Sequence, residues 1–197
     1  IKRLIAEKHK IVSIDNYSSG FKSNEQNGCI YYEGDIRNNL DYSSYMESPD
    51  LIFHLAALSR IQPSIKDPTK AIYNNILGTL HILEYARATK SQFIYTGSSS
   101  YHHGLYKSPY ALSKHGGEDL CKLYNTTYNL NTTICRFYNV YGPNQIKSGE
   151  YSTVIGIFEN QYKNNKPLTI VGDGTQKRDF THVYDIVSGL TKCMNRD

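Results

Sequence analysis

The sequence predicts an α/β fold, a doubly wound parallel sheet with helices on both faces. Three observations predict it. Six extended apolar runs alternate with helical stretches along the chain. The best runs, LIFHLA (51–56) and FIYTG (93–97), lack the polar alternation of a strand with one wet face. The length, 197 residues, suits one domain of about 100–200 residues with its own core.

The elements follow in order. Ile1-Lys2-Arg3-Leu4 reads as the later part of a longer helix. The expected strands are Lys10–Asp15, Cys29–Asp35, Leu51–Ala56, Ser91–Ser98, Thr132–Val140 and Pro167–Gly172. Asp67-Pro68 is an N-cap followed by proline in the first turn, and Ile72, Ile76, Leu80 and Leu83 recur at helical spacing, so a helix is expected over 68–88. Ser108-Pro109 repeats the signal and opens a helix over 109–128. Right-handed crossovers would join parallel strands through these helices. Residues 1–143 are expected to form the sheet domain. After Gly142-Pro143 the composition shifts to Asn, Gln, Lys and Gly. Residues 144–197 are therefore read as part of a smaller substrate-binding region, with 167–190 returning to the sheet.

Composition excludes several classes. Lys and Arg number 22 against 18 Asp and Glu, a net charge of +4 with no basic block, which argues against a nucleic-acid surface. No apolar run reaches the roughly 20 residues of a membrane span, and the start has no leader-like apolar core. The cysteines, at 29, 121, 135 and 193, have no metal or redox spacing. They read as buried free thiols in a reducing, cytoplasmic setting. The adjacent His102 and His103 lack a matched third ligand, so no metal is expected.

In a sheet of this kind ligands sit at the carboxyl ends of the strands. There the strand IVSID ends in Asp15-Asn16, an acidic end suited to the ribose hydroxyls of NAD and unfavourable to the extra phosphate of NADP. Gly34-Asp35-Ile36 offers a carboxylate and an apolar side chain to an adenine, and Ala56-Ala57 lets backbone approach a ring. The glycine-rich turn that holds the pyrophosphate should lie about 20 residues before such an acid, which falls before residue 1. No such glycine cluster occurs in the sequence. The expectation is a chain lacking that first strand, whose neighbours would be the strands ending at Asp15 and Ser98, and hence weak NAD binding by this segment alone.

A tyrosine and a lysine four apart on a helix face the same way. A nearby ammonium favours the phenolate, and bringing a phenol near neutrality takes roughly 4 kcal/mol. With 18 tyrosines in the chain, chance supplies one or two such pairs. Tyr162/Lys166 precedes a proline and follows no serine-rich strand end, so it reads as a surface pair. Tyr110/Lys114 opens a helix just after a strand ending Thr96-Gly97-Ser98-Ser99-Ser100. Hydroxyls, phenol and amine then meet at one cleft, an arrangement for abstracting a hydroxyl proton.

IDNYSSG, GDIR, FHLAAL, NNILGTL, TGSSS, SPYALSKHGGE, RFYNVYGPNQ and RDFTHVYDIV occur in that order. Together they resemble the NAD-dependent epimerase/dehydratase branch of the extended short-chain dehydrogenase/reductases, nearest to nucleotide-sugar epimerases. The resemblance implies a Rossmann-like sheet, NAD as cofactor, a nucleotide-sugar substrate and a homodimer paired through helices 68–88 and 109–128. It implies that Ser98, Tyr110 and Lys114 are catalytic. It assigns Asp15, Asn16, Asp35, Ile36, Leu55, Ala56, Ala57, Ser59, Asn75 and Phe137 to the cofactor, with Tyr110 and Lys114. It assigns Ser98, Ser99, Asn139, Thr153, Val171 and Arg178 to the substrate.

Similar dehydratases and decarboxylases carry an acid close behind the catalytic Ser/Thr. Here Ser99-Ser100-Tyr101-His102-His103-Gly104 follows, with no carboxylate. This favours a 4-epimerase, in which the sugar is oxidised to a 4-keto form and reduced on the other face. A dehydratase, decarboxylase or reductase is the alternative within the family. A non-catalytic nucleotide-binding relative is the alternative outside it.

Overall fold

The computed structural model describes residues 1–38 and 41–195. A short helix α1 (Lys2–Ala6) leads into β1 (Val12–Asp15), which pairs in parallel with β2 (Ile30–Glu33). A second parallel sheet is built from β3 (Leu51–His54), β4 (Gln92–Ser98) and β5 (Thr132–Phe137), in the order β3-β4-β5. Between β3 and β4 run α2 (Ile61–Lys66), α3 (Pro68–Ile72), a π-helical turn (Tyr73–Leu77) and α4 (Gly78–Thr89). Helix α5 (Pro109–Tyr128) connects β4 to β5. Beyond β5 come β6 (Val140–Tyr141), α6 (Val154–Lys163), β7 (Thr181–His182) and α7 (Val183–Lys192), with β6 and β7 paired in parallel.

All seven residues of β4 are buried, as a strand covered on both faces must be. Phe93 and Tyr95 point into the core with Leu83 and Ala86 of α4 and Cys121 and Tyr124 of α5. On the other face Gln92 reaches the end of α7, donating to the Cys193 carbonyl and accepting from the Asn195 amide, both at 2.9 Å. The helix starts are built as their caps imply. The Asp67 carboxylate accepts from the Lys70 amide at 2.9 Å, and the Ser108 hydroxyl from the Ala111 amide at 3.1 Å.

Several expectations are corrected. Residues 167–172 form no strand: Leu168, Ile170 and Val171 are exposed and have no ladder partner among the described residues. A β-branched run makes a strand only where a neighbour accepts its hydrogen bonds. The strand expected over 132–140 breaks after Phe137 and resumes at Val140. The helix expected over 68–88 is interrupted by the π turn, and α2 precedes it unannounced. The strand ending at Ser98 lies between β3 and β5. It therefore borders no open position, and the edges of this sheet are β3 and β5. Of the cysteines only Cys121 is buried. Cys135 and Cys193 lie with their sulfurs 3.7 Å apart, a proximity that sequence spacing conceals.

Candidate active site

The sheet order brings two strand exits together in space. β4 ends at Ser98, and β3 feeds the 55–60 loop beside it. Ser98 is buried and its Oγ is a junction. It accepts from the Tyr110 hydroxyl at 3.2 Å and from the Ser100 amide at 3.1 Å. With both acceptor positions filled, the Ser98 proton is free to point at a ligand. Tyr110 stands in the first turn of α5, where Ser108 fixes the helix start and the Ser64 hydroxyl of α2 accepts the Tyr110 amide at 3.0 Å. Burial raises the Tyr110 phenol above its ordinary value, while the Ser98 hydrogen bond and the Arg60 charge act to lower it.

One turn on, the Lys114 side chain is 4% exposed. Its ammonium sits 4.5 Å from the centre of the Tyr95 ring and has no hydrogen-bond acceptor among the described residues. Burial pushes it down to about 8, although Glu118 opposes this. Close packing brings the helix this near: a Cβ on Gly117 would run into the Tyr95 ring. Ser100 Oγ is buried with no partner among the described residues.

The serine loop is anchored by stacking. The Tyr101 ring lies between the Arg136 guanidinium, 3.7 Å from its centre, and the His115 ring, parallel at 5.0 Å. Arg136 is itself held by Glu118 of α5, with a shortest contact of 2.7 Å. His102 and His103 are exposed, and among the described residues no three His, Cys, Asp or Glu side chains gather as a metal site would require.

Asn75, in the π turn, clasps the 55–60 loop. Its amide accepts from the Leu58 N–H at 2.8 Å and donates to the Leu58 carbonyl at 3.0 Å and to Ser113 Oγ at 2.9 Å. In this structure Asn75 shapes the loop that carries Leu55, Ala56, Ala57 and Ser59. At the end of β1, Asp15 accepts from the Tyr17 amide at 2.8 Å and otherwise faces solvent. Asn16 donates to Asp35 at 3.1 Å, and Arg37 grips the same carboxylate and holds it far below the usual range. Ile36 is buried against Gly78 of α4. Phe137 pairs in register with Ser98.

The substrate-side residues are more scattered. Asn139 donates to the Asp179 carbonyl at 2.9 Å and so ties the 178–181 segment to the end of β5. Thr153 caps α6. Ser99 follows Ser98 in the same loop. Val171 and Arg178 are exposed, and the Arg178 guanidinium donates to its neighbour's carbonyl. The structure does not gather these two with Ser98. Tyr162 of the second Tyr/Lys pair is also exposed. Sequence reasoning missed Ser100 and Arg60. Ser100 lay in plain view in the serine run, whereas nothing local marked Arg60.

Comparison with known proteins agrees with this geometry. Residues 1–197 match the NAD dependent epimerase/dehydratase family. The UDP-glucose 4-epimerase of Mycolicibacterium smegmatis is 30% identical over 213 residues, covering 98% of this chain and 67% of that protein. The Thermotoga maritima UDP-glucose 4-epimerase, solved with UDP-glucose, superposes with a TM-score of 0.92 at 27% identity, covering 100% of this chain and 69% of that one. A Bacillus cereus UDP-glucuronic acid 4-epimerase, solved with UDP-glucuronic acid and NAD, gives 0.86 at 28% identity over 98% of this chain and 68% of that one. The chain spans between about half and two thirds of the length of the curated relatives it matches. With a parallel sheet, a hydroxyl–phenol junction at a strand end and a buried lysine one helical turn away, the chain belongs to the NAD dependent epimerase/dehydratase family.

Proposed function

We propose that the chain is the cofactor-side portion of an NAD-dependent nucleotide-sugar 4-epimerase acting on a UDP-sugar. The observation that carries this reading is the Ser98–Tyr110 hydrogen bond at the end of β4, with Lys114 one helical turn on from Tyr110. Residues 1–143 would form the cofactor domain and 144–197 part of the substrate region. Two copies would pair through the α3–α4 and α5 faces, where Leu123 is half exposed.

The residues present fit the cofactor. The Lys114 ammonium makes no hydrogen bond to an acceptor among the described residues, so it is placed to take a pair of ribose hydroxyls. Asp15 offers a solvent-facing carboxylate at a strand end, suited to a second ribose. The 55–59 loop, clasped by Asn75, would lie along the dinucleotide. When bound, NAD would accept a hydride from the sugar carbon and return it to the opposite face. The chain's own part is the proton. Tyr110 is the base: helped by Ser98, with which it shares a hydrogen bond of 3.2 Å, it takes the proton of the sugar hydroxyl and later returns it. Ser100 Oγ supplies a further donor beside the sugar. The loop from Ser99 to Gly104 bears no carboxylate that could drive elimination.

The test is product analysis with the full-length protein, using UDP-glucose, UDP-N-acetylglucosamine and their uronic acids. A product of unchanged mass and altered retention is expected, with no net consumption of NAD. Loss of water or carbon dioxide would instead assign a dehydratase or decarboxylase.

A further inference from the structure

Cys135 and Cys193 are 58 residues apart in the chain, yet their sulfurs lie 3.7 Å apart. The backbone on each side imposes this approach. Cys135 lies within β5, in register with Thr96 of the wholly buried β4. Cys193 closes α7, its amide donating to the Leu190 carbonyl at 3.1 Å. Gln92 at the start of β4 then grips the chain at and beyond Cys193. Its side-chain amide donates to the Cys193 carbonyl and accepts from the Asn195 amide, both at 2.9 Å. The two thiols therefore face each other from backbone that the central strand holds in place.

Neither thiol is sealed off. Both residues are partly exposed, whereas Cys121 is fully enclosed. The Cys193 thiol also reaches the Gly189 carbonyl, at 3.3 Å. Burial, with the Cys193 sulfur beside it, pushes the Cys135 thiol up to about 12. Cys193 is then the better placed to attack an incoming reagent, and Cys135 to resolve the product. A disulfide holds its sulfurs about 2 Å apart, so a movement of about 1.7 Å closes the pair.

We propose that Cys135 and Cys193 are a redox modification site, a dithiol that a low-molecular-weight disulfide such as oxidised glutathione converts into an internal disulfide. The Cys193 thiol loses its proton and attacks one glutathione sulfur. The glutathione S–S bond breaks, and one glutathione leaves as its thiolate. Cys135 then loses its proton and attacks the Cys193 sulfur of the mixed disulfide. The Cys135–Cys193 bond forms and the second glutathione leaves. Two protein thiols are oxidised, and one glutathione disulfide is reduced to two thiols. The ring so closed encloses residues 144–181 and fixes both ends of that excursion to the sheet. The proposal goes beyond the epimerase reading and stands whatever reaction occurs at Ser98.

The experiment incubates the folded full-length protein, and its Cys135→Ser and Cys193→Ser variants, with oxidised glutathione at pH 8. Free thiols are then alkylated, and the protein is mapped by mass spectrometry without reduction. Wild type should yield a linked pair of peptides carrying Cys135 and Cys193, about 2 Da lighter than their sum, and dithiothreitol should abolish it. Cys135→Ser should stop at the first step, with a glutathione of about 305 Da retained on Cys193. Cys193→Ser should leave Cys135 unmodified. A stable glutathione on Cys193 of the wild type with no linked peptide would overturn the proposal. So would linkage of either cysteine to a different one, or two unreacted thiols while Cys29 takes up glutathione. If a serine variant does not fold, the wild-type map alone decides.

Discussion

At the scale of single residues, the site stores instability where chemistry needs it. Lys114 lies in a pocket that disfavours its charge, pushed down from 10.5 to about 8. Because the folded-state value is lowered, protonation costs the fold its stability as pH drops from 10.5 to about 8, and the cost is complete at pH 7. That cost is about 3 kcal/mol. Lys114→Met should therefore stabilise the protein by up to about 3 kcal/mol at pH 7 in urea denaturation, while NAD affinity and turnover collapse. Equal or lower stability in the variant would show that the ammonium is not held at a loss. The pairing of Ser98 with Tyr110 was legible in the sequence because each stands beside a local signal, a serine-rich strand end and a capped helix start. The contacts of Arg60 and Asn75 were not. They depend on which distant backbone each side chain meets, Tyr151 and Leu58 respectively, and no local pattern encodes that.

At the scale of elements, α5 is shaped by two adjacent glycines that differ in what they face. A Cβ at Gly117 meets the rigid Tyr95 ring, whereas one at Gly116 meets the flexible tip of Ile76. Gly117→Ala is expected to cost about 2 kcal/mol through overpacking. Gly116→Ala should be nearly neutral, since a gain of about 1 kcal/mol in helix propensity offsets a small displacement. Denaturation midpoints of the two variants would separate them, and equal midpoints would contradict the packing described. Element starts read well from sequence because Asp67 and Ser108 cap through their own side chains. Element continuity read less well. Pro167–Gly172 has a strand's composition without a neighbouring strand, and nothing in residues 68–88 betrays the wider turn at Tyr73–Leu77.

At the scale of the molecule, the same packing that buries β4 sets the response to acid. His54 ends β3 fully enclosed, its Nε2 on Thr79 Oγ1 at 2.9 Å, while Thr79 donates on to the Asn75 carbonyl at 2.7 Å. The ring is therefore a neutral donor, and burial pushes it down to about 3 from 6.5. Between those values the unfolded chain binds the proton and the folded chain does not, so stability falls as pH drops through this window. Between pH 7 and pH 4 the loss from this one group should be about 3 kcal/mol. His54→Gln should flatten that slope in denaturation series run across the range, and parallel slopes would remove His54 as the cause. The two-sided α/β architecture was legible as a whole because strands and helices alternate. The order β3-β4-β5 was not, because strand neighbours are chosen by three-dimensional packing.

The wider turn at Tyr73–Leu77 acts as a phase shifter. A π turn holds more residues than an α turn, so side chains after it emerge rotated by roughly 100°, the angle between successive residues of an α-helix. The stripe of α3 that meets α5 and the stripe of α4 that meets the sheet can thus point in different directions on one continuous rod. Removing a single residue from 73–77 would leave a straighter and locally better-bonded helix. It would also swing Asn75 away from Leu58 and release the loop that ends in Arg60. In this stretch of the chain, the length of the sequence carries as much functional information as the identity of its residues.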